Sequence, residues 1–155
     1  MTKNLFSKIA IGTVQFGLDY GISNDGGQTP KAEVSKILQM AHQNGIDLLD
    51  TAFLYGESEA VLGRQELRSQ FKIVSKFPEV ETDAELKAFF NKSLNRLGLS
   101  SLYAYIAHRP NLLLNKPMVW KGLMSLKNQG LVKKVGFSVY EPADIIALQN
   151  AGFSP

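Results

Sequence analysis

The 155-residue chain contains no cysteine. That excludes a disulfide framework, a thiolate zinc site, an iron–sulfur cluster and a cysteine nucleophile. A surplus of one charge is also missing, because 17 Lys and Arg stand against 14 Asp and Glu. The longest basic run is the pair Lys133-Lys134, so no nucleic-acid surface is expected. No apolar run approaches the roughly 20 residues that span a bilayer. The first ten residues carry basic side chains but no sustained apolar stretch, so no signal peptide is expected and the natural reading is a cytoplasmic protein. What is present is a globular balance, 45% hydrophobic and 20% charged. A single domain over residues 1–155 with its own core is the expectation.

Strand-length apolar runs alternate with amphipathic stretches along the whole chain. Ile9 to Val14 reads as a strand broken by Gly12, and Gly17, Gly21, Gly26 and Gly27 mark a long loop after it. Thr29-Pro30 reads as an N-cap with proline at the first helical position. Val34, Ile37, Leu38 and Ala41 then recur at i, i+3, i+4 and i+7 on one helical face. Ile46 to Leu49 reads as a buried strand running into Asp50, followed by a short helix over Ser58 to Leu67. Phe71 to Val74 is a strand ending near Lys76. Thr82-Asp-Ala-Glu85 has capping-box spacing ahead of Leu86, Phe89, Phe90, Leu94 and Leu97. Leu102 to Ala107 is a strand leading to His108, and Trp120, Leu123, Met124 and Lys127 outline the next helix. Val132 to Phe137 is the fifth strand and Pro142 to Asn150 the last helix.

Five strand–helix units with strands apolar on both faces imply an α/β fold with a parallel sheet covered by helices. An open dinucleotide-binding sheet would carry G-x-G-x-x-G after its first strand. That place reads Gly12-Thr-Val-Gln-Phe-Gly17, which does not match. The expected architecture is therefore a (β/α)8 barrel of the TIM type, incomplete, with about five β/α units present.

Barrel enzymes carry their catalytic groups just past the carboxyl ends of the strands. Those places hold Thr13 and Gln15, then Asp50, Lys76, His108 and Ser138, with Tyr55 in the loop after Asp50. Each has a plainer reading. Asp50 suits a helix cap, Lys76 a solvated strand end and His108 a structural hydrogen bond, and Tyr55 is one of five tyrosines. His42 falls within a helical pattern and is given no role. Taken together the set suggests acid–base chemistry. An ammonium beside a phenol favours the phenolate, a carboxylate keeps the ammonium in place, and an imidazole orients a carbonyl. The set lacks a nucleophile and metal-ligand spacing, so a hydride would have to come from a nicotinamide cofactor.

The segment Gly45-Ile-Asp-Leu-Leu-Asp50-Thr-Ala-Phe-Leu-Tyr55-Gly-Glu-Ser-Glu59-Ala-Val-Leu-Gly63 resembles the aldo-keto reductase signature at every fixed position. Gly12-Thr13, Val74-Ser-Lys76, Ala107-His108-Arg-Pro110 and Gly136-Phe-Ser138 follow the family in order and spacing. The resemblance covers the whole chain as the first five-eighths of a family barrel. It implies Tyr55 as proton donor, Lys76 as the group that tunes it, Asp50 as the partner of Lys76, and His108 as the group orienting a carbonyl. It further implies Gly12, Thr13, Asp50 and Ser138 as cofactor-binding residues, and NADP(H)-dependent reduction of an aldehyde or ketone to an alcohol. NAD(H) stays open, because the family reads the 2′-phosphate beyond the position of Pro155. Val139 stands where many members have asparagine, which removes one contact to the nicotinamide carboxamide. Val14, Phe53, Leu54 and the run Leu112 to Leu114 are candidate pocket walls. The chain is expected to stop before a sixth strand, leaving the first and fifth strands open and favouring a homo-oligomer through those edges. The alternative to an enzyme is a catalytically incomplete barrel piece that serves self-association or regulation.

Overall fold

The computed structural model describes residues 5–155. The first four positions of the segment read for a signal peptide lie outside the described residues. A 3-10 turn, Leu5–Lys8, leads into β1 (Ile11–Gly12), α1 (Val14–Gly17), α2 (Lys31–Gln43), β2 (Leu48–Asp50) and α3 (Ser58–Gly63). A second 3-10 turn, Glu66–Gln70, precedes β3 (Lys72–Phe77), α4 (Asp83–Leu97), β4 (Leu102–Ala107) and α5 (Asn111–Asn115). The chain then forms α6 (Pro117–Asn128), β5 (Val132–Phe137) and α7 (Pro142–Asn150).

The strands form one sheet in the order β1-β2-β3-β4-β5, every neighbouring pair parallel. The order never reverses, whereas a doubly wound open sheet reverses at a switch point. The architecture is five consecutive units of the (β/α)8 barrel type, as the alternation of apolar runs implies. Among the described residues, β1 pairs only with β2 and β5 only with β4.

Register decides which side chains share a face, because neighbours in a parallel ladder point the same way. Gly12 aligns with Asp50 and Asp50 with Val74, while Lys76 aligns with Ile106 and Ile106 with Gly136. These residues form the concave face. The alternate set, Leu49, Ile73, Ser75, Phe77, Tyr105 and Val135, points toward the helices and is buried. The helices close over that second face with Val34 and Leu38 of α2, Leu86 and Phe90 of α4, and Val119, Leu123 and Leu126 of α6.

Local signals explain several boundaries. Thr82 Oγ1 accepts from the Glu85 amide at 3.2 Å, as its spacing predicts, while the Glu85 carboxylate reaches back one residue further, to the Glu81 amide at 2.8 Å. Gly63 lets α3 lie directly on α4, since a Cβ there would sit 2.0 Å from the Arg96 carbonyl oxygen.

Four expectations are corrected. Pro30, not Thr29, caps α2: the Thr29 amide is spent on the Gln15 carbonyl, and the Pro30 carbonyl accepts the first helical bonds from Glu33 and Val34. β1 is two residues long, because the Phe16 amide turns back to the Thr13 carbonyl and ends the extended run. The short helix after Ser58 ends at Gly63 and resumes as a 3-10 turn. β3 runs through Lys76 to Phe77, so Lys76 belongs to the strand and not to the loop beyond it.

Candidate active site

The hydroxyl groups at the start of the site are fully buried and bonded to one another. Ser58 Oγ donates to the Thr13 carbonyl at 2.8 Å, lies 2.9 Å from Thr13 Oγ1 and lies 3.1 Å from Thr51 Oγ1. Thr13 Oγ1 donates to the Asp50 carbonyl at 3.0 Å. This cluster fixes the backbone of the Asp50–Tyr55 loop against β1. Thr13, expected to line the cofactor, therefore has its side chain under the floor of the site, fully occupied by protein partners. Ser58 and Thr51 were not singled out from the sequence. A serine and a threonine flanking the Asp50–Tyr55 loop were their only signal.

Close backbone contact sets the position of Tyr55. A Cβ on Gly17 would sit 1.9 Å from the Tyr55 carbonyl oxygen and 2.3 Å from the Ser58 amide nitrogen. Only glycine permits α1 to press on that loop.

Lys76 is 5% exposed, and its ammonium finds an acceptor for each of its three hydrogens. One goes to the Asp50 carboxylate as an ion pair, one to the Thr51 carbonyl at 3.1 Å and one to the Tyr55 phenol oxygen at 3.3 Å. The ammonium also lies 4.8 Å from the centroid of the Tyr55 ring. Because the phenol oxygen accepts from Lys76, its own hydrogen is left to point elsewhere.

His108 stands edge-on to Tyr55, with ring centroids 5.7 Å apart and planes at 84°. Its amide donates to the Phe77 carbonyl at 3.1 Å, which ties the end of β4 to the end of β3. Partial burial pushes the imidazole below the ordinary histidine value, the Lys76 and Arg109 cations push it further, and Asp50 opposes them. On balance these surroundings favour the neutral imidazole. Its Nδ1 is buried and has no hydrogen-bond partner among the described residues. The structure brings Asp50, Tyr55, Lys76 and His108 to one end of the sheet.

The remaining expected residues frame the space beside them. Gly12 ends β1 on the same face as Asp50, and a Cβ there would meet no atom within 4 Å. The Ser138 amide donates to the Ala107 carbonyl at 2.9 Å, holding the loop after β5 beside His108. Its half-buried hydroxyl makes no hydrogen bond among the described residues. Open space over Gly12 and a spare hydroxyl at Ser138 fit a planar, amide-bearing ring such as nicotinamide. Val139 packs against the core, so it offers no polar contact. Of the candidate pocket walls, Leu54 is exposed, but Phe53 turns away onto Phe89 at 4.7 Å between centroids. Leu112 and Leu113 are buried in α5, a helix that the periodicity of the sequence did not reveal. No group of three or more His, Asp or Glu is placed to hold a metal among the described residues. None of their helices is long and apolar enough to cross a membrane.

The aldo/keto reductase family profile matches residues 8–155. An aldo-keto reductase of Mycobacterium sp. (strain KMS) is 30% identical over 139 residues, covering 83% of this chain and 49% of that protein. A 6-dehydroglucose reductase of Agrobacterium fabrum is 27% identical over 169 residues, covering 95% and 56%. Among solved structures, an aldo-keto reductase from Pseudomonas aeruginosa matches with a TM-score of 0.77 at 27% identity, covering 91% of this chain and 58% of that one. The Bombyx mori aldo-keto reductase in complex with NADP matches with a TM-score of 0.72 at 21% identity, covering 94% and 51%. The chain belongs to the aldo-keto reductase family. It spans about half the length of the curated relatives it matches.

Proposed function

We propose that the protein takes part in NADP(H)-dependent reduction of an aldehyde or ketone to an alcohol, with NAD(H) as the other nicotinamide to be tested. The observation that carries this reading is the Lys76 ammonium bonded at once to Asp50, Thr51 and Tyr55. A reduced nicotinamide, held over Gly12 beside Ser138 and Asp50, would supply the hydride that adds to the carbonyl carbon. Membership of the family supports that cofactor, as does the NADP held by the Bombyx mori enzyme.

The residues of this chain do the proton chemistry. His108, whose ring stands edge-on to Tyr55, orients the carbonyl oxygen as it gains negative charge. Tyr55 gives its phenol hydrogen to that oxygen as general acid, forming the alcohol and leaving a phenolate. Lys76 stabilises the phenolate through the hydrogen bond it already makes. Asp50 keeps the ammonium charged and aimed, and Thr13 acts from below by holding the Asp50 carbonyl. The phenolate recovers its proton from solvent. Oxidised sugars are the first substrates to try, since one relative is a 6-dehydroglucose reductase.

Titrating the chain with NADPH while following Trp120 fluorescence tests the cofactor reading directly. Trp120 packs on Phe137, next to Ser138, at 6.5 Å between ring centroids. Saturable quenching supports the reading, and a flat signal counts against a cofactor site in this chain.

A second reading, self-association, is favoured by exposed Ile145 and Ile146 on α7. It is compatible with the first.

A further inference from the structure

Glu59 has no part in the chemistry above, yet it is a carboxylate buried to 0% exposure on α3. One oxygen accepts from Ser75 Oγ at 2.7 Å. The other, Oε2, has no hydrogen bond among the described residues and lies 3.7 Å from Arg96 Nη1 of α4. Taking the Glu59 carboxylate out of water costs several kcal/mol, and Arg96, with its side chain 37% exposed and 3.7 Å away, offsets only part of it. Stability alone is therefore a weak reason for this arrangement.

Its two partners both lead to the site. Ser75 is the residue before Lys76 in β3, so the two side chains project from opposite faces of the same strand. Gripping Ser75 from the helix side fixes the rotation of β3 at the point where the ammonium emerges on the concave side. Arg96 leads to the Tyr55 loop. Its guanidinium carbon lies 4.1 Å from the Phe53 ring centroid and its Nη1 reaches the Phe53 carbonyl at 3.4 Å. The Phe53 amide in turn donates to the Lys76 carbonyl at 2.9 Å, two residues before Tyr55. One buried acid thus holds the strand of Lys76 with one oxygen and faces the anchor of the Tyr55 loop with the other.

The ladder extends the same layer to β4. Ser75 aligns with Tyr105, three residues before His108. Its buried phenol lies beside Ser93 and packs edge-on against Phe90 at 5.1 Å between ring centroids. Burial holds that phenol neutral, with Ser93 nearby opposing the effect and the Glu59 charge adding to it.

We propose that Glu59, through Ser75 and Arg96, is a positioning residue that sets the distance between Lys76 and Tyr55 from behind the sheet. The inference rests on the reading of Tyr55 and Lys76 as the proton-transfer pair. It is tested on the full 155-residue chain carrying tyrosine labelled with carbon-13 at Cζ, whose resonance responds to the hydrogen bond the phenol oxygen accepts. The Tyr55 signal is identified by its loss in Tyr55→Phe. Lys76→Met should displace it, and Ser75→Ala and Glu59→Gln should displace it in the same direction by a resolvable part of that change. Leu126→Ala, a core truncation outside this layer, should lower stability and leave the signal in place. Should Glu59→Gln fail to fold, Ser75→Ala decides alone, because it deletes one hydroxyl and inserts nothing. If Lys76→Met moves the signal but the foldable variants of Ser75 and Glu59 do not, or if Leu126→Ala moves it equally, the positioning role is overturned. If Lys76→Met leaves the signal unmoved, the Tyr55–Lys76 reading itself fails and the positioning role falls with it.

Discussion

The Lys76 ammonium donates to the Tyr55 phenol oxygen across 3.3 Å, so the tyrosine accepts from protein and has its own hydrogen to give. Removing that hydrogen should remove the chemistry and spare binding. Tyr55→Phe is expected to lower any carbonyl reduction by about 10²–10⁴-fold, the usual worth of a positioned general acid. NADPH should still quench Trp120 in the variant. Near-normal turnover, followed by NADPH absorbance, would sink the proton-donor assignment.

Lys76→Met should destabilise the fold as well as the site. Asp50, with its side chain 38% exposed, can be rehydrated when the ammonium goes. The buried Thr51 carbonyl cannot, and it loses the hydrogen bond it receives at 3.1 Å. An unsatisfied buried acceptor costs about 1–3 kcal/mol. Urea denaturation should show a loss in that range, and an unchanged midpoint would mean that water replaces the ammonium.

His108 should make stability depend on pH in one direction. Its folded value lies below the ordinary histidine value because burial and the Lys76 and Arg109 cations disfavour the imidazolium. The unfolded chain therefore takes up this proton first as pH falls. The contribution is fully present above about pH 6.5 and is lost as pH drops from there toward the folded value. His108→Gln should shrink the fall in urea midpoint between about pH 7.5 and 5.5. An equal fall in both proteins would contradict that sign.

Gly17→Ala should act on Tyr55 without touching it chemically. The added Cβ would land 1.9 Å from the Tyr55 carbonyl oxygen, and backbone cannot move aside like a flexible side chain. Overpacking of this kind costs about 1–3 kcal/mol. A thermal midpoint equal to that of the parent would show that the loop accommodates the methyl group freely.

A 155-residue chain with Ile145 and Ile146 exposed on α7 should associate. Static light scattering is expected to give a mass above the 17.1 kDa of one copy, rising with concentration. Ile146→Lys should shift the distribution toward monomer, because it places a charge on the exposed stripe of α7. A strictly monomeric parent would end this reading.

Much of the framework was legible in the order of residues. Apolar runs of strand length separated by helical periodicity announced all five strands, and Thr82 with Glu85 announced the start of α4. The strand ends that carry Asp50 and His108 followed from the same pattern. The missed features share a cause. α5 has only five residues, too few for a periodic stripe, and the carbonyl that accepts the first bonds of α2 is that of Pro30 and not of Thr29. The bond between the Thr13 and Ser58 hydroxyls, 45 positions apart, had no local signal.

Hydrophobic period, capping residues and the long match from Gly45 to Gly63 were set by the sequence itself, because each depends on neighbours within a few turns of chain. Family membership and the barrel-type order of units belong to that category. The convergence of Asp50, Tyr55, Lys76 and His108 belongs to the tertiary structure, and so does the burial of Glu59 behind them. These contacts link residues up to several tens of positions apart. They exist only because parallel register brings adjacent strand ends to one side of the sheet and directs alternate side chains to opposite faces.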